Sequence, residues 1–304
     1  QSQVLENIKT ITGENVDFYP VDVCNKSEFS EVFDKYSFSG VIHFAAYKAV
    51  GESVADPLKY YQNNVNGLLT TLDLCSKHDV NNFVFSSSCT VYGEPEERLE
   101  VDENSPIRRA NSPYGQTKVI GEQILEDFHK THLGGQITSL RYFNPIGAHD
   151  SALIGELPIG RPNNLLPFIT QTAAGKWPEL TVFGKDYPTE DGTCIRDFIH
   201  VMDLADAHVA AIKNAESEKE GFIEAINIGT GKGSSVLELI QLFEQESGMK
   251  LPYKFGPRRS GDITAIYANA TKAKKILGWT AKRTLQDSVS SAWKWEQNLM
   301  SHAE

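Results

Sequence analysis

The sequence predicts an α/β protein, a doubly wound parallel sheet with helices on both faces, followed by a smaller mixed α/β lobe. Three observations lead there. Apolar runs of strand length alternate at regular spacing with amphipathic stretches of helix length, the signature of repeated strand-helix units. The run Gly40-Val-Ile-His-Phe-Ala-Ala46 is continuous rather than alternating, as in strands buried on both faces. Candidate ligand groups fall at the ends of the predicted strands, at Asp22, Phe44-Ala45-Ala46, Ser86-Ser-Ser88 and Tyr142-Phe143-Asn144. Open parallel sheets bind their ligands at those carboxyl ends.

In order, Val4, Leu5, Ile8 and Ile11 place a helix at the very start. Val16-Asp-Phe-Tyr-Pro-Val-Asp22-Val23 alternates like a short strand ending on an acid, and a helix follows from Asn25. The strand over 40–46 ends in Ala45 and Ala46, small enough for something flat to approach the backbone. A long helix over 57–77 carries Asn63, Asn64 and Asn66 in an otherwise apolar stretch. The strand over 82–86 runs into three serines. The connection over 93–111 has the length of an active-site cover. Ser112 then stands where an N-cap is wanted and Pro113 suits the first helical position. A strand over 137–143 completes a first domain, 1–145.

After Asn144-Pro145, Gly and Pro accumulate over 150–162 and the elements shorten. A helix opens at Asn163-Asn164, a strand is expected over 180–183, and loop and strand mix over 189–201. A periodic helix begins at Met202-Asp203, with Asp203 as its expected cap. One more strand-helix unit covers 225–246, with Gly229-Thr-Gly231-Lys-Gly233 read as a turn. A basic turn at 257–262 and an amphipathic tail with Trp279 and Trp293 finish a second lobe, 146–304. Segments around 194–215 are expected to return to the first domain.

With 40 acidic against 29 basic residues the formal charge is −11. That argues against nucleic acid or an anionic membrane as partner, while local arginines still suit a small anionic substrate. Cys24, Cys75, Cys89 and Cys194 are scattered without metal spacing, as in a reduced cytoplasmic protein. No signal peptide is read, and no apolar run approaches the roughly 20 residues of a membrane span.

The chemistry centres on Tyr114 and Lys118, four apart on one helix face. A phenol with a reference pKa of about 10 is a poor base at neutral pH. An ammonium about 5 Å away at an effective dielectric near 20 favours the phenolate by about 3 kcal/mol, about two pKa units. Tyr114 would then shuttle a proton, with Ser88 or Thr90 sharing the hydrogen bond to the same substrate oxygen.

Together these segments resemble the extended short-chain dehydrogenase/reductase family, and within it the UDP-glucose (UDP-galactose) 4-epimerases. The resemblance runs essentially end to end. Its specific parts are His43-Phe44-Ala45 with Lys48-Ala-Val-Gly-Glu-Ser53, Asn63-Asn64-Val-Asn66-Gly67, Ser86-Ser-Ser88 with Thr90-Val-Tyr92-Gly93, and Ser112-Pro-Tyr114-Gly with Lys118. Arg141-Tyr-Phe-Asn144-Pro, Asp186-Tyr-Pro-Thr-Glu-Asp-Gly-Thr193, Arg196-Asp197 and Pro257-Arg-Arg-x-Gly-Asp262 add to them.

The resemblance implies a Rossmann-type fold and C4 epimerisation by hydride transfer to tightly bound NAD through a 4-keto sugar. It makes Tyr114 the acid/base, Lys118 its tuning residue and Ser88 the hydroxyl partner. Asp22, Val23, Phe44, Ala45, Ala46, Lys48, Asn63 and Phe143 would join those three around NAD. Asn144, Asn164, Leu165, Phe183, Arg196, Arg259 and Asp262 would hold a UDP-hexose, and no metal is implied. A homodimer is implied, through helices including 57–77 and 113–131. Ile266 falls where the family gates an N-acetyl group, and its middling size leaves that choice open.

Plain structural roles compete: Asp22 as a helix cap, Asn63 as a loop amide, Phe183 as core, Arg258 and Arg259 as a surface pair, and His43 as a core histidine. No Gly-rich pyrophosphate turn precedes an early helix in these residues. The family begins with such a strand-helix-strand unit. By that comparison the unit is absent from this chain, with roughly 35–40 residues expected before Gln1. Two other readings compete, a dehydratase or decarboxylase of the same superfamily and a non-catalytic protein or inactive fragment on the same fold. Cys89-Thr90-Val91 after Ser88 offers no acid pair for elimination.

Overall fold

A computed structural model describes residues 2–302 apart from 96–98, 133, 219 and 260. Its centre is a sheet of four parallel strands in the spatial order Gly40–His43, Asn82–Ser86, Gln136–Tyr142 and Phe222–Ile228. Successive residues of a strand point to opposite faces, and each face here has its own core. Phe83, Phe85 and Ile137 meet Leu68, Leu72 and Leu125 from the helices Asn66–Lys77 and Pro113–Thr131. On the other side Val84, Leu140 and Ile226 meet Leu204, Ala207 and Ala211 from the helix Val201–Ser217. Each large aliphatic side chain buried this way contributes about 1.5–3 kcal/mol. Gly121 sets how closely the Pro113–Thr131 helix approaches, since a Cβ there would lie 2.6 Å from the Phe85 ring.

A second, mixed sheet runs Ser234–Ser235, Ile195–Arg196, Ala265–Ala268 and Glu100–Val101. A third core gathers Leu166, Ile169, Leu180, Val182, Phe243 and Val289 around the helices Leu165–Ala173, Val236–Ser247 and Leu285–Ser301. All four cysteines are free. Among the described residues no His, Cys, Asp or Glu group could hold a metal, and no helix is long and apolar enough to cross a membrane.

Several expectations need correction. Residues 16–23 form no strand, because among the described residues no strand pairs with them. Alternation alone cannot supply the ladder hydrogen bonds that make an extended segment a strand. Gly40–His43 is likewise only partly buried, with His43 its one buried residue, since among the described residues it pairs with Asn82–Ser86 alone. The 57–77 helix is interrupted by a π turn over Tyr61–Val65, between Pro57–Tyr60 and Asn66–Lys77. The 93–111 connection contains the strand Glu100–Val101. Asp203 is no cap: His200 Nδ1 accepts from Met202 N, while the Asp203 carboxylate takes Lys282 N, Arg283 N and the Arg283 guanidinium.

Candidate active site

The strand Asn82–Ser86 delivers three serines to the rim of the main sheet. Ser86 Oγ bonds Tyr142 OH, Ser87 is fully buried, and Ser88 Oγ caps the helical turn Cys89–Tyr92 by accepting from Thr90 N at 3.2 Å. Opposite them the helix Pro113–Thr131 begins as its sequence requires, with Ser112 Oγ accepting from Gly115 N at 3.1 Å. Its first two turns carry Tyr114 and Lys118, only 8% and 4% exposed. Lys118 Nζ donates to the Ser86 carbonyl at 2.6 Å and lies 5.0 Å from the Phe85 ring centre and 5.8 Å from that of Tyr114.

Burial dominates the electrostatics of this pair. It pushes the Tyr114 phenol well above its ordinary value, helped by Tyr142, while a hydrogen bond with the Ser88 hydroxyl pulls the other way. It also pushes Lys118 down to about 8, against the pull of the Glu122 carboxylate. The lysine-driven fall expected for Tyr114 is therefore absent here. That expectation applied a half-solvated dielectric to the attraction and left out the cost of desolvating the two charged forms, which reaches several pKa units in a buried site.

His43 stacks against Phe83 and Phe85 and is held down to about 4 by burial first and by Lys118 second. An unfolded imidazole titrates near 6.5, so below that pH the unfolded chain binds the extra proton. Stability from His43 is thus full above about 6.5 and is lost as pH falls towards 4. Between pH 7 and 4 the wild type should lose about 3 kcal/mol more than His43→Phe, measured by urea unfolding at each pH. Equal losses would contradict it.

Phe44 is 55% exposed and tilts against His208 with ring centres 4.5 Å apart. Asp22 is not the helix cap, which is Asn25; its carboxylate accepts from Cys24 N at 2.8 Å. Val23 packs against Gly67. Asn63 donates to Asn64 Oδ1, and it is Asn64 that grips the Tyr47 backbone through both N–H and C=O and donates to Thr117 Oγ1. Phe143 is core, packed with Cys89, Val91 and Ile266. The exposed Phe44 ring, the small Ala45 and Ala46 and the Lys48 ammonium fit a dinucleotide laid over this rim.

Of the implied sugar-nucleotide residues, Arg196, Arg259, Asp262 and Phe183 come together. Asp262 receives two bonds from the Arg259 guanidinium, at 2.9 and 3.1 Å, and lies 4.0 Å from Arg196 Nη2. Arg259 also covers the Phe183 ring at 4.9 Å. Arg258 turns away to Asp186 and stacks on Tyr187. Such planar forks match phosphate oxygens. The turn reaches the entry to the Pro113–Thr131 helix, since a Cβ on Gly261 would lie 3.4 Å from the Asn111 carbonyl, one residue before its cap. Asn144 N donates to the Asp197 carbonyl, and Leu165 packs partly on the third core. Asn164 Nδ2 donates to Glu156 Oε1 at 2.5 Å, and Lys48 Nζ reaches the same oxygen at 3.3 Å.

Sequence reading quoted Asn64 within a motif but gave it no role, and passed over Glu122 and Glu156. Glu122 carried a usable signal, standing four residues after Lys118 on the same helical row. Glu156 carried none, because its partners are 108 and 8 residues away.

A protein-family model described as the NAD dependent epimerase/dehydratase family matches residues 3–229. The UDP-glucose 4-epimerase of Bacillus subtilis is 47% identical over 297 residues, covering 98% of this chain and 86% of that protein. The Dictyostelium discoideum UDP-glucose 4-epimerase is 47% identical over 294 residues, 97% of this chain and 85% of its own. Among solved structures, the Bifidobacterium longum UDP-glucose 4-epimerase in complex with NAD+ and UDP superposes with a TM-score of 0.93. It is 46% identical and covers 97% of this chain and 87% of that one. The Stenotrophomonas maltophila enzyme with bound NAD and formylated UDP-arabinopyranose gives 0.94 at 44% identity, covering 100% and 89%.

Proposed function

This chain belongs to the NAD dependent epimerase/dehydratase family, and on that footing we propose that it interconverts UDP-glucose and UDP-galactose by inverting C4. The observation that carries the reading is the buried convergence of Ser88, Tyr114 and Lys118 at the rim of a parallel sheet, beside the Arg196–Arg259–Asp262 cluster. NAD, when bound, supplies hydride acceptance from C4 and return of the hydride to the other face of the 4-keto sugar.

The chain's own residues do the rest. Tyr114 acts in its phenolate form: it takes the proton of the sugar 4-hydroxyl, becoming the phenol, and gives it back when the hydride returns, while Ser88 Oγ shares the hydrogen bond to that oxygen. Lys118, held by the Ser86 carbonyl, faces the phenol with its charge. Asp22, Val23, Phe44, Ala45, Ala46, Lys48, Asn63 and Phe143 join the three in holding the cofactor. Arg196 and Arg259 meet the diphosphate, with Asp262 orienting them, and Asn144, Asn164, Leu165 and Phe183 complete the UDP site. Burial of the phenol and amine keeps water from the reacting centre.

Residues 1–145 form the cofactor domain and 146–304 the substrate lobe, with segments around 194–215 returning to the first. The enzyme works in the cytoplasm, in galactose metabolism, as a homodimer whose contact includes the helices over 57–77 and 113–131. A coupled assay that detects UDP-glucose formed from UDP-galactose by the NAD-loaded protein tests the activity. Turnover supports it; no conversion by folded, NAD-containing protein rejects it.

A further inference from the structure

We infer that Glu122 is a positioning residue for the active pair, keeping Lys118 charged and the Ser87–Ser88 strand end in place. The inference rests on the roles just given to Tyr114 and Lys118.

Residues 114, 118 and 122 stand one above another along the helix. Glu122 is 5% exposed, and donors surround its carboxylate. Oε1 accepts from Ser87 Oγ at 2.5 Å and Arg141 Nε at 2.9 Å, and Oε2 accepts from Arg141 Nη2 at 2.6 Å and Nε at 3.2 Å. Arg141 Nη1 donates on to Tyr92 OH, which donates to Asn227 Oδ1 at 2.6 Å. Asn227 is tied in turn to Glu103 and to the Val101 carbonyl. One buried chain of hydrogen bonds therefore links the catalytic strand end to the second sheet.

A buried arginine–glutamate pair adds little stability over apolar side chains of the same volume. The weight of this one falls on what else the carboxylate faces. Around Lys118 stand Tyr114 and Glu122 from its own helix, the Ser86 carbonyl and Phe85 ring from the adjoining strand, and His43 from the next. His43 is neutral at pH 7, its pKa pushed down to about 4. The carboxylate of Glu122 is then the negative charge that favours the ammonium, while its bond to Ser87 fixes the residue before Ser88.

Two variants test this, Glu122→Gln and the paired Glu122→Gln with Arg141→Met, which leaves no unpaired buried arginine. In each, the Lys118 titration is followed by NMR of protein labelled at the lysine ε-carbon, and the pH profile of kcat/KM for UDP-galactose is recorded on NAD-loaded enzyme. The Lys118 midpoint should fall by about one pH unit, and the alkaline limb of the rate should move down with it. If Glu122→Gln alone does not fold, the paired variant decides. A folded variant whose Lys118 midpoint and alkaline limb both match wild type overturns the inference. Should even the wild type fail to convert UDP-galactose, the epimerase reading falls, and the Lys118 midpoint still decides whether Glu122 holds its charge.

Discussion

Tyr114→Phe is expected to lower kcat for UDP-galactose by about 10²–10⁴-fold, the usual worth of a positioned acid/base. KM should change little, because the phenol oxygen would act mainly on the transition state. The ring stays in the same 8%-exposed niche, so folding and cofactor content should be retained, and both can be checked on the same preparation. The loss would be specific to the oxygen: Ser88 keeps its hydroxyl but has no phenol to pass the proton to. A Tyr114→Phe enzyme that turned over at the wild-type rate would end the proposed mechanism.

The largest stability effect is expected at Asp197. Its carboxylate is fully buried and accepts from Thr230 N at 2.9 Å, Thr230 Oγ1 at 2.6 Å, and Gly231 N and Ala268 N, each at 3.1 Å. A Cβ on Gly229 would lie 2.5 Å from Asp197 Oδ2, so the Gly-Thr-Gly turn is shaped around this carboxylate. Asp197→Ala strands those donors in a dry site and should cost about 3–5 kcal/mol in chemical denaturation. Asp197→Asn keeps one acceptor oxygen and should cost less. A loss under about 1 kcal/mol for the alanine variant would show that the turn finds other partners. The neighbouring Arg196 should lose its setting along with the turn, weakening UDP binding.

How much could be read in advance follows from where each signal lies. The Pro113–Thr131 helix was legible because Ser112, Pro113 and the apolar rows are local, and Tyr114 and Lys118 came with it. The strands at 82–86 and 136–142 were legible because they are buried on both faces. The segment 16–23 misled, since its pattern is local while a strand depends on a neighbour. The electrostatics of Tyr114 misled for a similar reason: helix spacing gives the distance to Lys118 but not the burial that outweighs it. Asn64 hid behind Asn63, because only the π turn decides which of two adjacent amides reaches Tyr47. The arginine cluster was legible through the resemblance alone, as Arg196 and Asp262 lie 66 residues apart and meet through the pairing of Ile195–Arg196 with Ala265–Ala268.

The turn over Tyr61–Val65 carries one residue more than an α-helix would place there. Deleting a single residue from it would return the helix to its ordinary phase, rotating everything on one side by about 100° and shortening it by about 1.5 Å. Asn64 would swing off the Tyr47 backbone, and the Phe44–Tyr47 stretch would lose its tether to Thr117 on the Pro113–Thr131 helix. The spacing between the Phe44–Tyr47 stretch and the helix that carries Tyr114 thus hangs on a one-residue surplus in a neighbouring helix.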